Sequence, residues 1–191
     1  MLSVPQLEAN KQKFLETNEK YNIFTPELLE FLGDGLYTAP ASPTLEMFGC
    51  FPGGLLNHLI KACKYAIQIN DLLPDAVKQN KESIIKCVFL SQIGKVFIFK
   101  PNSSEWHKKN LGKMYEFNDE LVSLRTGERS AYYAINNGVK LKENEFQAIV
   151  NQDKDETDKM SKYYSEALTN IVKQGIELAI IDEKEHGKRG N

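Results

Sequence analysis

The chain has three histidines, His58, His107 and His186, which are the side chains most able to bind a metal or carry a proton near neutral pH. They do not form a spaced ligand motif: His58 borders an apolar stretch, His107 sits in a polar loop and His186 in the tail. A catalytic zinc keeps about three protein ligands, so one imidazole cannot hold a working metal alone. Asp153, Asp155, Glu156 and Asp158 form an acidic run, but the central glycine of a calcium loop is missing and a solvated charge run is expected. The cysteines Cys50, Cys63 and Cys87 are odd in number and lack C-x-x-C spacing, which argues against a disulfide framework or a thiolate zinc site. Cys50 has no accompanying Cys-His motif, and Cys63 and Cys87 lie in apolar helical patterns as small hydrophobes. Trp106 with Lys108 and Lys109 is a weak signal for base stacking, and no P-loop or dinucleotide-binding glycine pattern is present.

The elements that position these groups read as mainly helical. Thr25-Pro26-Glu27 carries an N-cap and a proline suited to a first helical turn, and Gly33-Asp34-Gly35 closes that element. Residues 37–54 form a loop rich in proline and glycine. Leu55, Leu59, Ala62, Ala66 and Ile69 recur at helical spacing through Ile69. Ile84, Ile85, Val88 and Phe89 define the inner face of a helix over 82–93, and Gln92 continues those rows. A polar side chain is thereby aimed inward, at a cost of about 1–3 kcal/mol unless it finds partners. Val96–Phe99 reads as a strand pairing with Lys113–Phe117, with Leu121, Val122 and Leu124 extending the sheet. Helices are expected over Gly127–Asn137, Glu143–Asn151 and Ser161–Glu183. The inner row of the last is Tyr164, Leu168, Ile171, Gly175, Leu178 and Ala179, and the final residues fray.

Five blocks, TAPAS (38–42), FGCFPGGLLNH (48–58), FLSQIGKV (89–96), KP (100–101) and TGERSAYYAI (126–135), stand in an order that resembles the HD-domain metal-dependent phosphohydrolases. The likeness is to a phage and bacterial subgroup and covers residues 25–183. It implies a mainly α, HD-like helical bundle with a small β-hairpin insertion. It also implies a core site where histidines and a His-Asp pair hold divalent metal that makes hydroxide and clamps phosphate. At those positions this chain keeps His58 but carries Phe48, Ser91, Gln92 and Thr126 in place of the other ligands. Val150-Asn151-Gln152 and Gly175-Ile176 also lack the expected His and Asp. Neutral replacements are poor ligands for hard or borderline cations.

The chain is therefore expected to be a pseudoenzyme of that family, with no cofactor and no metal, acting as a protein-binding or scaffold module; the likeness to that subgroup implies a phage-encoded protein. Phe48, Gln92 and Ile176 would fill the former cleft. His58 would bond to a neighbour such as Gln92, and Lys95 would be a surface cation at a helix end or a contact to phosphate. Glu128 with Arg129 would form a helix-start pair or, with Lys95, residual ligand contacts. A protein partner or a homo-oligomer is implied, and nucleotide binding without hydrolysis is a variant of the same idea. One alternative is an active hydrolase using His58 with acids such as Asp34 or Asp182; another is a nucleic-acid-binding module. Lys plus Arg (24) against Asp plus Glu (26) gives a net charge of −2, which argues against binding a polyanion by bulk charge. The organisation expected is a helical extension (1–24), an HD-like domain (25–183) and a tail (184–191). With no signal peptide and no long apolar run, the chain is expected in the cytoplasm.

Overall fold

In a computed structural model, residues 2–154 and 166–189 are described, with side chains through Glu185. The fold is mainly helical with one small antiparallel hairpin, as the sequence pattern implies. Helix α1 (Val4–Tyr21) starts where Gln6 Oε1 accepts hydrogen bonds from the Ser3 backbone N–H (2.8 Å) and hydroxyl (3.0 Å). It ends at Asn22 in the left-handed region, φ 47°. Its one fully buried side chain, Phe14, meets Phe24, Phe89 and Tyr37 edge-on at ring distances of 5.0, 5.6 and 6.1 Å. The first helix thus shares the core of the helices that follow.

Helix α2 (Pro26–Leu32) begins as its cap residues dictate, with Thr25 Oγ1 accepting from the Leu28 N–H at 3.1 Å. A short α3 (Gly35–Thr38) follows, within what the composition suggests is a turn and loop. The Gly53-Gly54 pair then launches the central helix α4 (Gly54–Leu72). Gly53 has φ 79°, and a Cβ on Gly54 would stand 2.0 Å from the Gly49 carbonyl oxygen. Only glycine allows this close turn, which holds the Phe48 loop against the start of α4. Backbone bonds from Ala41 to Gly49 (2.9 Å) and from Leu55 to Ala39 (3.0 Å) fasten the preceding Ala-Pro-Ala segment to it.

Helix α5 (Lys81–Ser91) is capped by Asn80, whose side chain accepts from the Glu82 N–H. Its face of Ile84, Ile85, Val88 and Phe89 is buried as expected. Residues Lys95–Ile98 form a helical turn, α6, not the strand their apolar run suggests. Bonds from Lys95 to Gln92 and from Val96 to Ile93 (both 3.0 Å) continue the tight turn that ends α5. The strand lies just beyond: β1 (Phe99–Pro101) pairs with β2 (Tyr115–Phe117), Phe99 opposite Phe117 and Pro101 opposite Tyr115. Leu121, Val122 and Leu124 do not extend this sheet. Between its strands the polar loop folds as α7 (Glu105–Leu111), with Ser104 Oγ accepting from the His107 N–H.

Helices α8 (Thr126–Asn136) and α9 (Glu143–Asn151) match the expected positions closely. The last helix, α10 (Ala167–Arg189), runs into the segment expected to fray; the expected start at Ser161 and the inner residue Tyr164 lie outside the described residues. Leu168, Ile171, Gly175 and Ala179 are buried, but Leu178 is 40% exposed, and Val172 and Ile176 take the inward places.

Gly175 sets the approach of α10 to α4, since an added Cβ would meet Ala66 Cβ at 2.7 Å and the Ala62 carbonyl oxygen at 2.8 Å. Gly175→Ala gains about 1 kcal/mol of helix propensity but overpacks by about 2–3 kcal/mol. The net effect expected in thermal unfolding is a melting temperature lower by roughly 2–8 °C. An unchanged or higher value would mean that the two backbones can part freely.

Candidate functional site

A chain of polar side chains meets at His58, which projects from α4 and is wholly excluded from solvent. Its Nδ1 lies 2.9 Å from Glu183 Oε2, a carboxylate delivered by α10 and itself 6% exposed. The other oxygen of Glu183 accepts from Asn57 Nδ2 at 2.9 Å, and Asn57 Oδ1 in turn accepts from Asn10 Nδ2 of α1 at 3.3 Å. On the far side of the imidazole, Gln92 Nε2 stands 3.4 Å from His58 Nε2. The carboxylate can only accept, so Nδ1 carries the proton and Nε2 presents its lone pair to the Gln92 amide. A relay of polar side chains therefore runs from α1 through α4 and α10 to the end of α5.

Burial pulls the His58 pKa below that of a free imidazole. Glu183 pushes it back upward, while Lys95 and Lys61 add to the fall. The neutral ring is the form that this arrangement favours. Phe48 lies over the imidazole with ring centroids 4.6 Å apart, and the Lys95 ammonium approaches the Phe48 ring at 5.2 Å.

Lys95 is not the surface cation its helix-end position suggests. It is half-buried, donates to the Ala41 carbonyl at 3.0 Å, and loss of water lowers its pKa to about 8. It stands where two clefts meet. One, of about 420 Å³, is lined by Phe48, Gln92, Thr126, Lys173 and Ile176 among others. The second, of about 810 Å³, lies beneath the hairpin against Met47, Phe48, Phe99, Phe117 and Leu121. Phe48, Lys95, Thr126 and Asp153 border both. Asp153 sits at the rim with its carboxyl raised by partial desolvation; Asp155, Glu156 and Asp158 lie outside the described residues.

Of the positions singled out in sequence, the structure gathers Phe48, His58, Gln92, Thr126, Lys95 and Ile176 around one junction. Ser91 is buried there but turns its hydroxyl back to the Val88 carbonyl at 2.8 Å. Glu128 and Arg129 do not pair with each other. Glu128 accepts from the Arg125 backbone N–H at 3.1 Å, whereas Arg129 is buried, donates to the Val122 carbonyl and lies 3.5 Å from the Tyr133 hydroxyl. Asp182 is bound to Lys61 at 2.8 Å, and Asp34 is exposed at the head of α3. The acid that reaches His58 is Glu183, which the sequence reading did not select. Its signal was present: Val172, Ile176 and Ala179 form a buried row on α10 that Glu183 continues.

The three cysteine thiols are all buried, and burial raises their pKa values, so none is an activated nucleophile. Trp106 is exposed on α7. Among the described residues, no three His, Cys, Asp or Glu side chains stand together as metal ligands. His58 and Glu183 alone do not fit a catalytic metal, because their polar atoms face each other, Asn57 and Gln92. No helix among the described residues is long and apolar enough to cross a membrane. Compared with family models, curated proteins and solved structures, the chain matches none of them.

A histidine held neutral by burial gives stability a definite sign with pH. Above about 6.5 both folded and unfolded chains carry neutral imidazole, and the full contribution is present. As pH falls through that value the unfolded chain takes up a proton that folded His58 resists, so stability declines. Denaturant unfolding between pH 5 and 7.5 is expected to show this loss, flattened in His58→Gln. Equal slopes in both proteins would place the titration elsewhere.

Proposed function

We propose that this chain is a catalytically inactive, HD-like helical domain whose role is to bind a protein partner or a second copy of itself. The observation that carries this reading is the occupation of both His58 ring nitrogens, by Glu183 on one side and Gln92 on the other. A carboxylate on one imidazole nitrogen is what orients a metal-binding histidine in many metal centres. Here the opposite lone pair, where a cation would sit, is taken by a neutral amide. Phe48 and Ile176 bring hydrocarbon to the same junction where the resemblance expects further ligands.

What supports a macromolecular partner is the apolar surface around the hairpin. Leu45, Trp106, Leu111 and Phe117 are all exposed there. Exposed large apolar side chains grouped on one surface mark contact sites more often than isolated ones do. The near-balanced charge does not favour nucleic acid as that partner.

Elemental analysis of the purified chain tests the inactive reading, together with phosphate release from nucleotides in Mn²⁺ and in Fe²⁺. Metal well below one equivalent and no release above buffer are expected, in the wild type and in His58→Ala alike. Stoichiometric metal that disappears in His58→Ala, with turnover that disappears with it, would make the chain a hydrolase using the His58–Glu183 pair.

A further inference from the structure

The cleft beneath the hairpin holds two cationic groups, Arg129 and Lys95, whose direct hydrogen-bond partners are neutral. Arg129 is 6% exposed, and its contacts at Val122 and Tyr133 are to neutral oxygens. Its Nε–H is buried with no hydrogen-bond partner. A guanidinium cannot shed its proton, so a desolvated one remains costly until an anion reaches it. Lys95 stands at the same end: a Cβ on its neighbour Gly94 would lie 3.1 Å from Arg129 Cβ. Its ammonium donates to the neutral carbonyl of Ala41, while the carboxylates of Asp153 and Glu183 act on it through space. Arg125 and Asp153 complete this polar end, and the field of each acts on the other.

The rest of the lining is mainly apolar, with the rings of Phe48, Phe99 and Phe117 on one wall and Ser42, Asn118, Ser123 and Thr126 among the polar residues. Met47, Phe48, Ile98, Phe99, Phe117 and Leu121 enclose about 810 Å³, within the range of pockets that take small organic ligands. A few convergent polar groups at one end of an apolar wall select a molecule with a charged head and a larger hydrocarbon or aromatic body. Asp153 and Glu183 both act on Lys95 and offset part of this positive charge, so the site suits a singly charged head better than a dianion. We propose that this cleft binds an amphipathic carboxylate, with Lys95 and Arg129 taking the carboxylate and the ring wall taking its body. This goes beyond the protein-binding reading and stands whether or not that reading holds.

The test is isothermal titration calorimetry of the full chain with three ten-carbon probes: decanoate, decan-1-ol and decyl phosphate. Decanoate is expected to bind one molecule per chain, at least about tenfold more tightly than either other probe, as a charge-assisted pair implies. Lys95→Met and Arg129→Met are each expected to lower decanoate affinity by about tenfold or more. Arg129 also holds the Val122 segment, so its loss risks the fold. Lys95→Met removes a desolvated charge and should fold, and Leu121→Trp should block the cleft from its rim. Equal affinity for decanol, tighter binding of decyl phosphate, undiminished decanoate binding in folded Lys95→Met or Leu121→Trp, or no binding of any probe would each overturn the proposal.

Discussion

The structure depends on an imidazole buried between a carboxylate and an amide. His58 has no access to water, so its two nitrogens must be satisfied from within, and each partner comes from a different helix. Glu183 pins α10 to α4, Gln92 pins the end of α5, and Asn57 carries the connection outward to Asn10 on α1. Removing one member would leave the others desolvated and unpaired, which costs more than the bond itself contributes. The helices can approach this closely because small residues line their crossing, with Gly175 seated against Ala62 and Ala66. Packing and polar satisfaction thus impose the same register on α4 and α10.

The network also decides what chemistry the site can support. An imidazole oriented by a carboxylate is equipped for metal or proton transfer only if its second nitrogen is open. At His58 that nitrogen meets Gln92, and the ring face is covered by Phe48. Among the described residues, two buried side-chain polar atoms remain without partners, Gln92 Oε1 and Arg129 Nε. Both belong to residues that line the clefts meeting at Lys95. The polar atoms that the proposed ligand would meet accordingly lie beside the imidazole, toward the hairpin.

Much of the fold was legible in the residues. The Thr25-Pro26 start, the stripe of α4 and the limits of α9 follow from capping and period alone. The inward aim of Gln92 follows from its place on the rows of α5. What escaped is local competition and tertiary choice. Val96–Ile98 has strand composition, yet the turn ending α5 continues through it. Asn102-Ser103-Ser104 looks like loop, yet Ser104 caps a helix. Glu128 and Arg129 are adjacent in sequence and opposite in charge, but the first serves the helix start and the second is drawn inward to a carbonyl. Glu183 was hidden because a carboxylate near a charged terminus reads as solvent-facing, although it shares a face with Val172, Ile176 and Ala179.

The state of the buried ring is open to direct observation. Long-range ¹⁵N–¹H correlation spectra of the ¹⁵N-labelled chain at pH 7 distinguish the two neutral tautomers from the imidazolium. His58 is expected to be neutral and protonated at Nδ1, with Nε2 unprotonated and unmoved by added Zn²⁺. A proton on Nε2, a doubly protonated ring, or an Nε2 signal displaced by stoichiometric Zn²⁺ would contradict this.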